Sequence, residues 1–267
     1  MSPAVSTRFD TFISTKEHRR FIEFANTVRA HRYIGLCFGP AGVGKTLSAW
    51  RYADCHRIGA LSPAWKGVKS EEAKIYAALV KSRTLFFTPS IGLSPSALRG
   101  NLRLAQENAV ERLNRNRRGR RIIDVELIIV DEIERLSTPA LECLRELFDR
   151  GDIGLILVGM PGMEKRMARY PQLYSRVGFA HHYRPLQGDE LSFVLTRHWR
   201  KLGLNLDMAD FSDTQALASI ARITGGNFRL LHRLFVQIAR ILKINDLTFI
   251  TDEVVNAARS TLVIGAT

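Results

Sequence analysis

The sequence contains little cysteine and no long apolar run. Its three cysteines, Cys37, Cys55 and Cys143, include no C-x-x-C pair and leave one cysteine without a partner. This argues against a disulfide framework or a zinc site, and for a reducing compartment. No apolar stretch approaches the ~18–20 residues of a membrane span, and the N-terminus lacks a signal-peptide core. We therefore expect a soluble intracellular protein with no membrane partner.

Acidic residues are too few to balance the basic ones. The 267 residues include 39 Lys and Arg against 26 Asp and Glu, a formal net charge of +13 at pH 7, and 30 of the 39 are arginines. The planar fork of arginine suits phosphate recognition, although a GC-rich genome would produce the same bias. An acidic partner is therefore a candidate. The length fits one large domain, or a core domain with a small appendage.

Strands and helices are expected to alternate at first and then to give way to helices alone. Apolar residues at helical spacing predict a first helix from Thr15 to about Ala30, with Thr15 as its N-cap. Apolar runs predict five strands, at 33–38, 84–88, 125–130, 153–158 and 178–183. Further helices are predicted at 94–114, after Ser137-Thr138-Pro139, and at 188–201, 213–223, 227–243 and 251–260.

This order of elements predicts an α/β fold with a parallel central sheet, followed by a small all-helical lid. We divide the chain into a leader with the first helix (1–32), an α/β core (33–185) and the lid (186–267). Phe193 and Trp199, on the first lid helix, are expected in the core of the lid.

A glycine-rich segment lies between the first strand and the next helix. Residues 39–46 read GPAGVGKT and match G-x-x-x-x-G-K-[ST] in the strand–loop–helix context that the motif requires. Its glycines let backbone N–H groups surround a phosphate at the positive end of the helix, so we predict ATP or ADP binding. The alternative is a chance glycine-rich turn. The predicted nucleotide contacts are Gly39, Pro40, Ala41, Gly42, Val43, Gly44, Lys45, Thr46 and Leu47.

Two carboxylates follow the buried strand that ends at Val130. Asp131 is expected to hold Mg²⁺ through water, together with the hydroxyl of Thr46, while Lys45 bridges the β- and γ-phosphates. Glu132 is placed to polarise the attacking water as general base. The alternative is a solvated acidic pair where a strand emerges.

Two arginines are candidates for contacting the γ-phosphate. Arg229, in the lid segment GGNFRLL, could reach it within the same subunit, and the alternative is a solvated helix charge. Arg176, in LYSRV before the last strand, could act as an arginine finger for a neighbouring subunit. Arg166 and Arg169 lie nearby and would serve similarly.

These segments together resemble the AAA+ ATPase superfamily across roughly residues 15–260. The resemblance is carried by GPAGVGKT, LIIVDE, the SRV segment before the last strand, and GGNFRLL in a helical lid. Within that superfamily the chain looks most like the transposition regulators of the TniB/TnsC type, whose relatives include MuB and IstB. The supporting segments are the short helical leader, VDEIERLS and LILVGMPGMEKRMARYPQLYSRV.

The resemblance implies a specific function. ATP-bound subunits would assemble as rings or helical filaments on duplex DNA, select the target, and recruit and activate the transposase, with a target-selection protein as a further candidate partner. Hydrolysis to ADP and phosphate would release them, and the location would be the nucleoid of a bacterial cytoplasm. The family usually has a polar sensor residue after the fourth strand, where this chain has Met160. Because methionine cannot orient water by hydrogen bonding, we expect slow hydrolysis.

Two other functions remain open at this stage. One is a helicase- or clamp-loader-type ATPase that remodels a protein substrate, and the other is a nucleotide switch with little hydrolysis, which Met160 favours. For DNA contact, the candidates are the arginines of the dense basic run before the Asp131 strand. Phosphate contacts by such a run would be independent of base sequence, and the alternative is a solvated turn. They are Arg115, Arg117, Arg118, Arg120 and Arg121.

Overall fold

The computed structural model describes residues 12–55, 72–114 and 123–262. The chain divides into two compact units. The first contains the residues up to Gly39 together with Lys45–Tyr183, and the second contains Pro40–Gly44 together with Arg184 onward. Each unit is described by itself below.

The first unit alternates strands with helices, as the sequence predicts. Its five strands are β1 (Ile34–Phe38), β2 (Thr84–Phe87), β3 (Leu127–Val130), β4 (Gly154–Gly159) and β5 (Val177–His182). Its helices are α1 (Lys16–His31), α2 (Lys45–Tyr52), α3 (Glu72–Ser82), α4 (Pro95–Asn114), α5 (Thr138–Arg150), α6 (Met163–Ala168) and α7 (Pro171–Tyr174). A 3₁₀ turn covers Ile133–Arg135. The observed bounds differ from the predicted ones by one or two residues at most ends.

The strands form a single parallel sheet in the order β2-β3-β4-β1-β5. Every residue of the inner strands β3 and β4 is buried, as expected for strands covered on both faces. The edge strand β5 instead alternates half-buried and exposed residues. In this order β3 lies between β2 and β4, and β1 lies beyond β4, so the residues that follow β1 and β3 emerge at the same carboxyl edge.

Helix α1 packs on the sheet. The hydroxyl of Thr15 accepts a hydrogen bond of 3.1 Å from the backbone N–H of His18, so the predicted N-cap is confirmed. The buried face of α1 includes Phe21, Phe24, Ala25 and Val28. A Cβ atom on Gly35 of β1 would lie 2.5 Å from Cγ2 of Val28. Glycine is therefore required where α1 approaches the strand.

The described residues of the second unit form four helices, which confirms the predicted helical C-terminal part. They are α8 (Gly188–Lys201), α9 (Phe211–Thr224), α10 (Phe228–Ile244) and α11 (Asp252–Ser260). Trp199 is buried and its ring contacts Phe235 edge-on, with 5.3 Å between the centroids. The prediction for Phe193 is wrong, because its side chain is exposed. At 100° per residue, Phe193 lies on the face of α8 opposite to the buried Val194, Leu195 and Trp199.

Among the residues that the structure describes, no helix combines the length and apolar character needed to cross a bilayer.

Candidate nucleotide-binding site

The loop after β1 is held to a fixed path at its start. The backbone N–H of Tyr183 donates to the carbonyl oxygen of Phe38 at 2.8 Å. A Cβ atom on Gly39 would lie 2.2 Å from the carbonyl oxygen of Tyr183, so only glycine fits there. Gly42 and Gly44 have φ angles of +80° and +110°, values that side chains rarely tolerate. The glycines of the motif are thus explained by backbone geometry.

Lys45 begins helix α2 and is buried. Its Nζ donates a 2.6 Å hydrogen bond to the carbonyl oxygen of Gly39. This contact holds the ammonium beside the start of the loop, within the first unit. A buried ammonium with backbone acceptors suits recognition of a phosphate that approaches the same loop. Leu47, two residues later, is half-buried on α2.

Pro40–Gly44 belong to the second unit, where they are hydrogen-bonded to the start of α10. Nδ2 of Asn227 donates a 2.6 Å hydrogen bond to the carbonyl oxygen of Ala41. The backbone N–H of Arg229 donates a 3.3 Å hydrogen bond to the carbonyl oxygen of Gly42. Oδ1 of Asn227 also caps α10 by accepting from the N–H of Arg229 at 3.0 Å. Asn227 is not among the site residues predicted from the sequence, although its place before the helix in GGNFR indicates an N-cap. The side chain of Arg229 itself is exposed.

Asp131 follows β3 and is almost completely buried. Its Oδ1 accepts a 2.9 Å hydrogen bond from the backbone N–H of Glu132, and the side chain of Thr46 also interacts with the carboxylate. Burial raises the pKa of Asp131, and the hydrogen bonds from Thr46 and Glu132 oppose that rise. Oδ2 is buried and has no hydrogen-bond partner among the described residues. An unsatisfied carboxylate oxygen beside a hydroxyl is a donor set that suits a hard cation such as Mg²⁺.

Glu132 adopts an unusual backbone conformation and is ion-paired. Its φ and ψ angles are +53° and +46°, in the left-handed region. Its carboxylate pairs with the guanidinium of Arg135, three residues later. Nη1 of Arg135 in turn donates to the carbonyl oxygen of Pro89 at 3.0 Å. Arg135 is not among the site residues predicted from the sequence.

Met160 directly follows β4, as the sequence predicts. A Cβ atom on Gly159 would lie 3.3 Å from Oε2 of Glu134, so a carboxylate approaches the end of this strand. Glu134 is exposed.

A buried polar network connects α1 with α2. Nδ1 of His18 and the hydroxyl of Ser48 are 2.9 Å apart, and that hydroxyl lies 2.7 Å from the hydroxyl of Tyr183. Burial, helped by the charges of Arg51 and Arg19, lowers the pKa of His18 to about 4. A neutral His18 therefore supports the helix that carries Lys45. No sequence motif indicates this network, because His18, Ser48 and Tyr183 are far apart in the sequence.

Arg176, Arg166 and Arg169, the three candidates for an arginine finger, differ in their contacts within the chain. Nε of Arg176 is 2.5 Å from Oδ1 of Asp149, and this pairing lowers the pKa of Asp149. Arg176 also donates to the carbonyl oxygen of Gln172. Nη2 of Arg166 donates to the carbonyl oxygen of Leu136 at 2.5 Å. Arg169 is exposed, and its side chain has no hydrogen bond to any described residue.

The predicted DNA contacts, from Arg115 to Arg121, lie outside the described residues. Two arginines just before them on α4 have acidic partners. Arg99 pairs with Glu146 at 2.6 Å, and Arg103 pairs with Glu107 at 2.7 Å.

Comparison with known proteins agrees with this geometry. The sequence profile of the AAA domain matches residues 28–167. The chain is 39% identical over 269 residues to a Staphylococcus aureus protein described as a potential ATP-binding protein, which covers 97% of this chain and 99% of the relative.

Solved structures show the same fold at low identity. The Thermotoga maritima RuvB Holliday junction branch migration motor is 16% identical, with a TM-score of 0.54 over 92% of this chain and 69% of that one. The Aeropyrum pernix ORC1 protein, solved in complex with DNA, is 17% identical, with a TM-score of 0.52 over 91% of this chain and 64% of that one.

Proposed function

The chain belongs to the AAA domain family, and on that premise we propose that it binds ATP with Mg²⁺ and hydrolyses it slowly to ADP and phosphate. Lys45 would contact the β- and γ-phosphates, and Glu132 would accept a proton from the attacking water. Thr46 and Asp131 would hold the metal ion, which when bound neutralises phosphate charge. The unsatisfied, buried Oδ2 of Asp131 is the observation that supports this proposal most directly.

The role of the remaining site residues is also part of the proposal. The loop Gly39–Gly44 would direct backbone N–H groups at the phosphates, with Leu47 in the helix behind it. Arg229 would contact the γ-phosphate in the same subunit. Arg176 would act as the finger for a neighbouring subunit, although within this chain it is engaged by Asp149 and Gln172. Arg169 is the alternative, because its guanidinium is exposed and has no intrachain acceptor among the described residues.

We further propose that ATP-bound subunits assemble as a ring or filament on duplex DNA and regulate transposition. The net charge of +13 supports contact with DNA phosphates that is independent of sequence. The solved ORC1–DNA complex is a protein of the same fold that binds DNA. The resemblance of VDEIERLS and LILVGMPGMEKRMARYPQLYSRV to the TniB/TnsC type supports target selection and recruitment of a transposase, with a target-selection protein as a further partner, in the bacterial nucleoid.

Two alternatives keep specific support. Met160 and the ion pair of Glu132 with Arg135 favour a nucleotide switch that hydrolyses ATP very slowly. The fold shared with a branch migration motor favours a remodelling ATPase of the helicase or clamp-loader kind. ATP-dependent binding to random duplex DNA separates the transposition regulator from a remodelling enzyme that acts on protein.

Lys45→Ala tests the first part of the proposal. Removing a charged hydrogen-bond donor costs roughly 1.5–3 kcal/mol, so ATP should bind about 10- to 100-fold more weakly, as measured by isothermal titration calorimetry. Lys201→Ala, an exposed lysine at the end of α8, is the control and should bind ATP as the parent does. Equal ATP affinity in the parent and Lys45→Ala would contradict the proposed role of the loop.

A further inference from the structure

The proposed general base is already occupied by a neighbouring cation. Glu132 and Arg135 form an ion pair across the 3₁₀ turn, and the paired Oε2 of Glu132 is buried and accepts no hydrogen bond from a described residue. Arg135 is anchored at a second point, because its Nη1 donates to the carbonyl oxygen of Pro89 at 3.0 Å. The guanidinium therefore bridges Glu132 and a backbone group on a different segment of the first unit.

The position of Pro89 shows on which side of β3 the guanidinium of Arg135 lies. Pro89 follows β2, which lies at one edge of the sheet, whereas Gly39 and Lys45, which are proposed to take part in nucleotide binding, follow β1. In the strand order β2-β3-β4-β1-β5, β2 and β1 lie on opposite sides of β3, the strand that precedes Glu132. Arg135 thus anchors the carboxylate on the side of β3 that faces away from β1.

A carboxylate held in this way is poorly placed to contact the attacking water. A general base needs an oxygen within hydrogen-bond reach of the water that it activates, and a guanidinium in contact with Oε2 blocks the approach of water to that oxygen. The backbone of Glu132 gives little freedom to turn, because it lies in the left-handed region and its N–H is bonded to Oδ1 of Asp131. Release of the carboxylate therefore depends on breaking its contact with Arg135.

We propose that Arg135 is a positioning residue that restrains Glu132 and keeps the turnover of ATP slow. This inference rests on the proposed ATPase function. It attributes slow hydrolysis to an ion pair in this chain in addition to the apolar Met160. A purely structural role for Arg135 in the 3₁₀ turn would change stability without raising the rate.

The test is the steady-state hydrolysis of ATP by Arg135→Gln and Arg135→Lys. Arg135→Gln should raise kcat roughly two- to fivefold, the fold-change expected from losing an ion pair of this exposure, while KM and the directly measured ATP affinity stay unchanged. Arg135→Lys should give a smaller increase, since one ammonium cannot span both acceptors as the planar guanidinium does. Arg20→Gln is the matched control, because Arg20 forms an i,i+3 ion pair with Glu17 in α1, and its kcat should equal that of the parent.

The same substitution in a second background shows whether the effect passes through Glu132. In Glu132→Gln, adding Arg135→Gln should leave the residual rate unchanged, because the restrained base is gone. A kcat at or below that of the parent in both Arg135 variants, or an equal increase in the Glu132→Gln background, would overturn the proposal. If Arg135→Gln does not fold, as judged by its thermal melt, the rate of Arg135→Lys decides alone. A parent that binds no ATP would instead refute the proposed function itself.

Discussion

The side-chain amide of Asn227 donates a 2.6 Å hydrogen bond to the carbonyl oxygen of Ala41, 186 residues earlier in the chain. The same side chain caps α10 through its Oδ1 atom. One residue thus connects the glycine-rich loop to the start of α10 inside the second unit. Any change in the position of this helix start is coupled to the loop that is proposed to bind phosphate.

Asn227→Asp separates the two roles of this side chain. Aspartate caps helices as well as asparagine does, but it has no N–H group to donate to Ala41 and would place a negative charge beside a carbonyl oxygen. We expect a thermal stability close to that of the parent and a weaker affinity for ATP. Asn227→Ala should lose both roles, with about 1 kcal/mol of stability lost through the cap. Parent-like ATP affinity in Asn227→Asp would show that the bond to Ala41 has no role in binding.

Gly42→Ala should damage the same loop by steric overlap. A Cβ atom at Gly42 would lie 2.5 Å from Oδ1 of Asn227 and 2.8 Å from Cβ of Arg229. Gly203 has a similar φ of +76° but nothing within 4 Å of the added atom, so Gly203→Ala is a control for backbone strain alone. That strain is about 1–2 kcal/mol. Calorimetric melts and ATP titrations should show a larger loss for Gly42→Ala. Equal losses would contradict the close packing described here.

Glu132→Gln should keep ATP binding and remove hydrolysis. The change deletes the proposed base and leaves Asp131 and Thr46 in place, so the rate should fall by about 10²- to 10⁴-fold at unchanged ATP affinity. The assembled form should then persist, which analytical ultracentrifugation with ATP can measure. If the variant binds ATP yet assembles no better than the parent, the assignment of Glu132 is wrong.

The finger can be identified by mixing two inactive variants. Lys45→Ala is expected to bind ATP about 10- to 100-fold more weakly but keeps its surface arginines, whereas Arg169→Ala keeps the loop. If Arg169 serves the neighbouring subunit, mixed assemblies should regain turnover that neither variant has alone. Arg176→Ala should show less recovery, because Arg176 is engaged by Asp149 and Gln172. Recovery of turnover in mixtures with Arg176→Ala, and none in mixtures with Arg169→Ala, would identify Arg176 as the finger.

The dense basic run offers a test of DNA contact. Neutralising Arg115, Arg117, Arg118, Arg120 and Arg121 together should weaken duplex binding and flatten its salt dependence, by up to about 0.9 in the log–log slope for each lost phosphate contact. Arg99→Gln with Arg103→Gln is the comparison, because both arginines already have glutamate partners. An unchanged slope after the five substitutions would identify the run as a solvated turn.

The sequence predicts the elements of this fold well where local pattern dominates. LIIV in β3 is continuously apolar and fully buried, and Thr15 caps α1 as its side-chain chemistry requires. Phe193 is expected in the core of the lid together with Trp199, which lies on the same helix. Its angular position on α8 nevertheless puts it on the solvent side. The helical spacing of the buried residues Val194, Leu195 and Trp199 predicts the exposure of Phe193 correctly.

The contacts that hold the candidate site depend on tertiary structure. The pair of Glu132 and Arg135 is visible as an i,i+3 spacing, but its anchor at Pro89 requires β2 to lie beside β3. The bond of Asn227 to Ala41 and the approach of Tyr183 to Gly39 likewise join segments far apart in the chain. Motifs indicate which residues carry the chemistry, whereas the restraints on those residues come from the sheet order.

The most direct test of the account is binding to a labelled random-sequence duplex with ATP, with ADP and without nucleotide, at several salt concentrations. We predict tight, cooperative and salt-sensitive binding with ATP alone, because assembly on DNA is proposed to require the ATP-bound form. Binding of equal strength under all three conditions would reduce the positive charge to nonspecific attraction. An absence of binding in ATP would contradict the DNA-regulator function and favour a protein-remodelling ATPase.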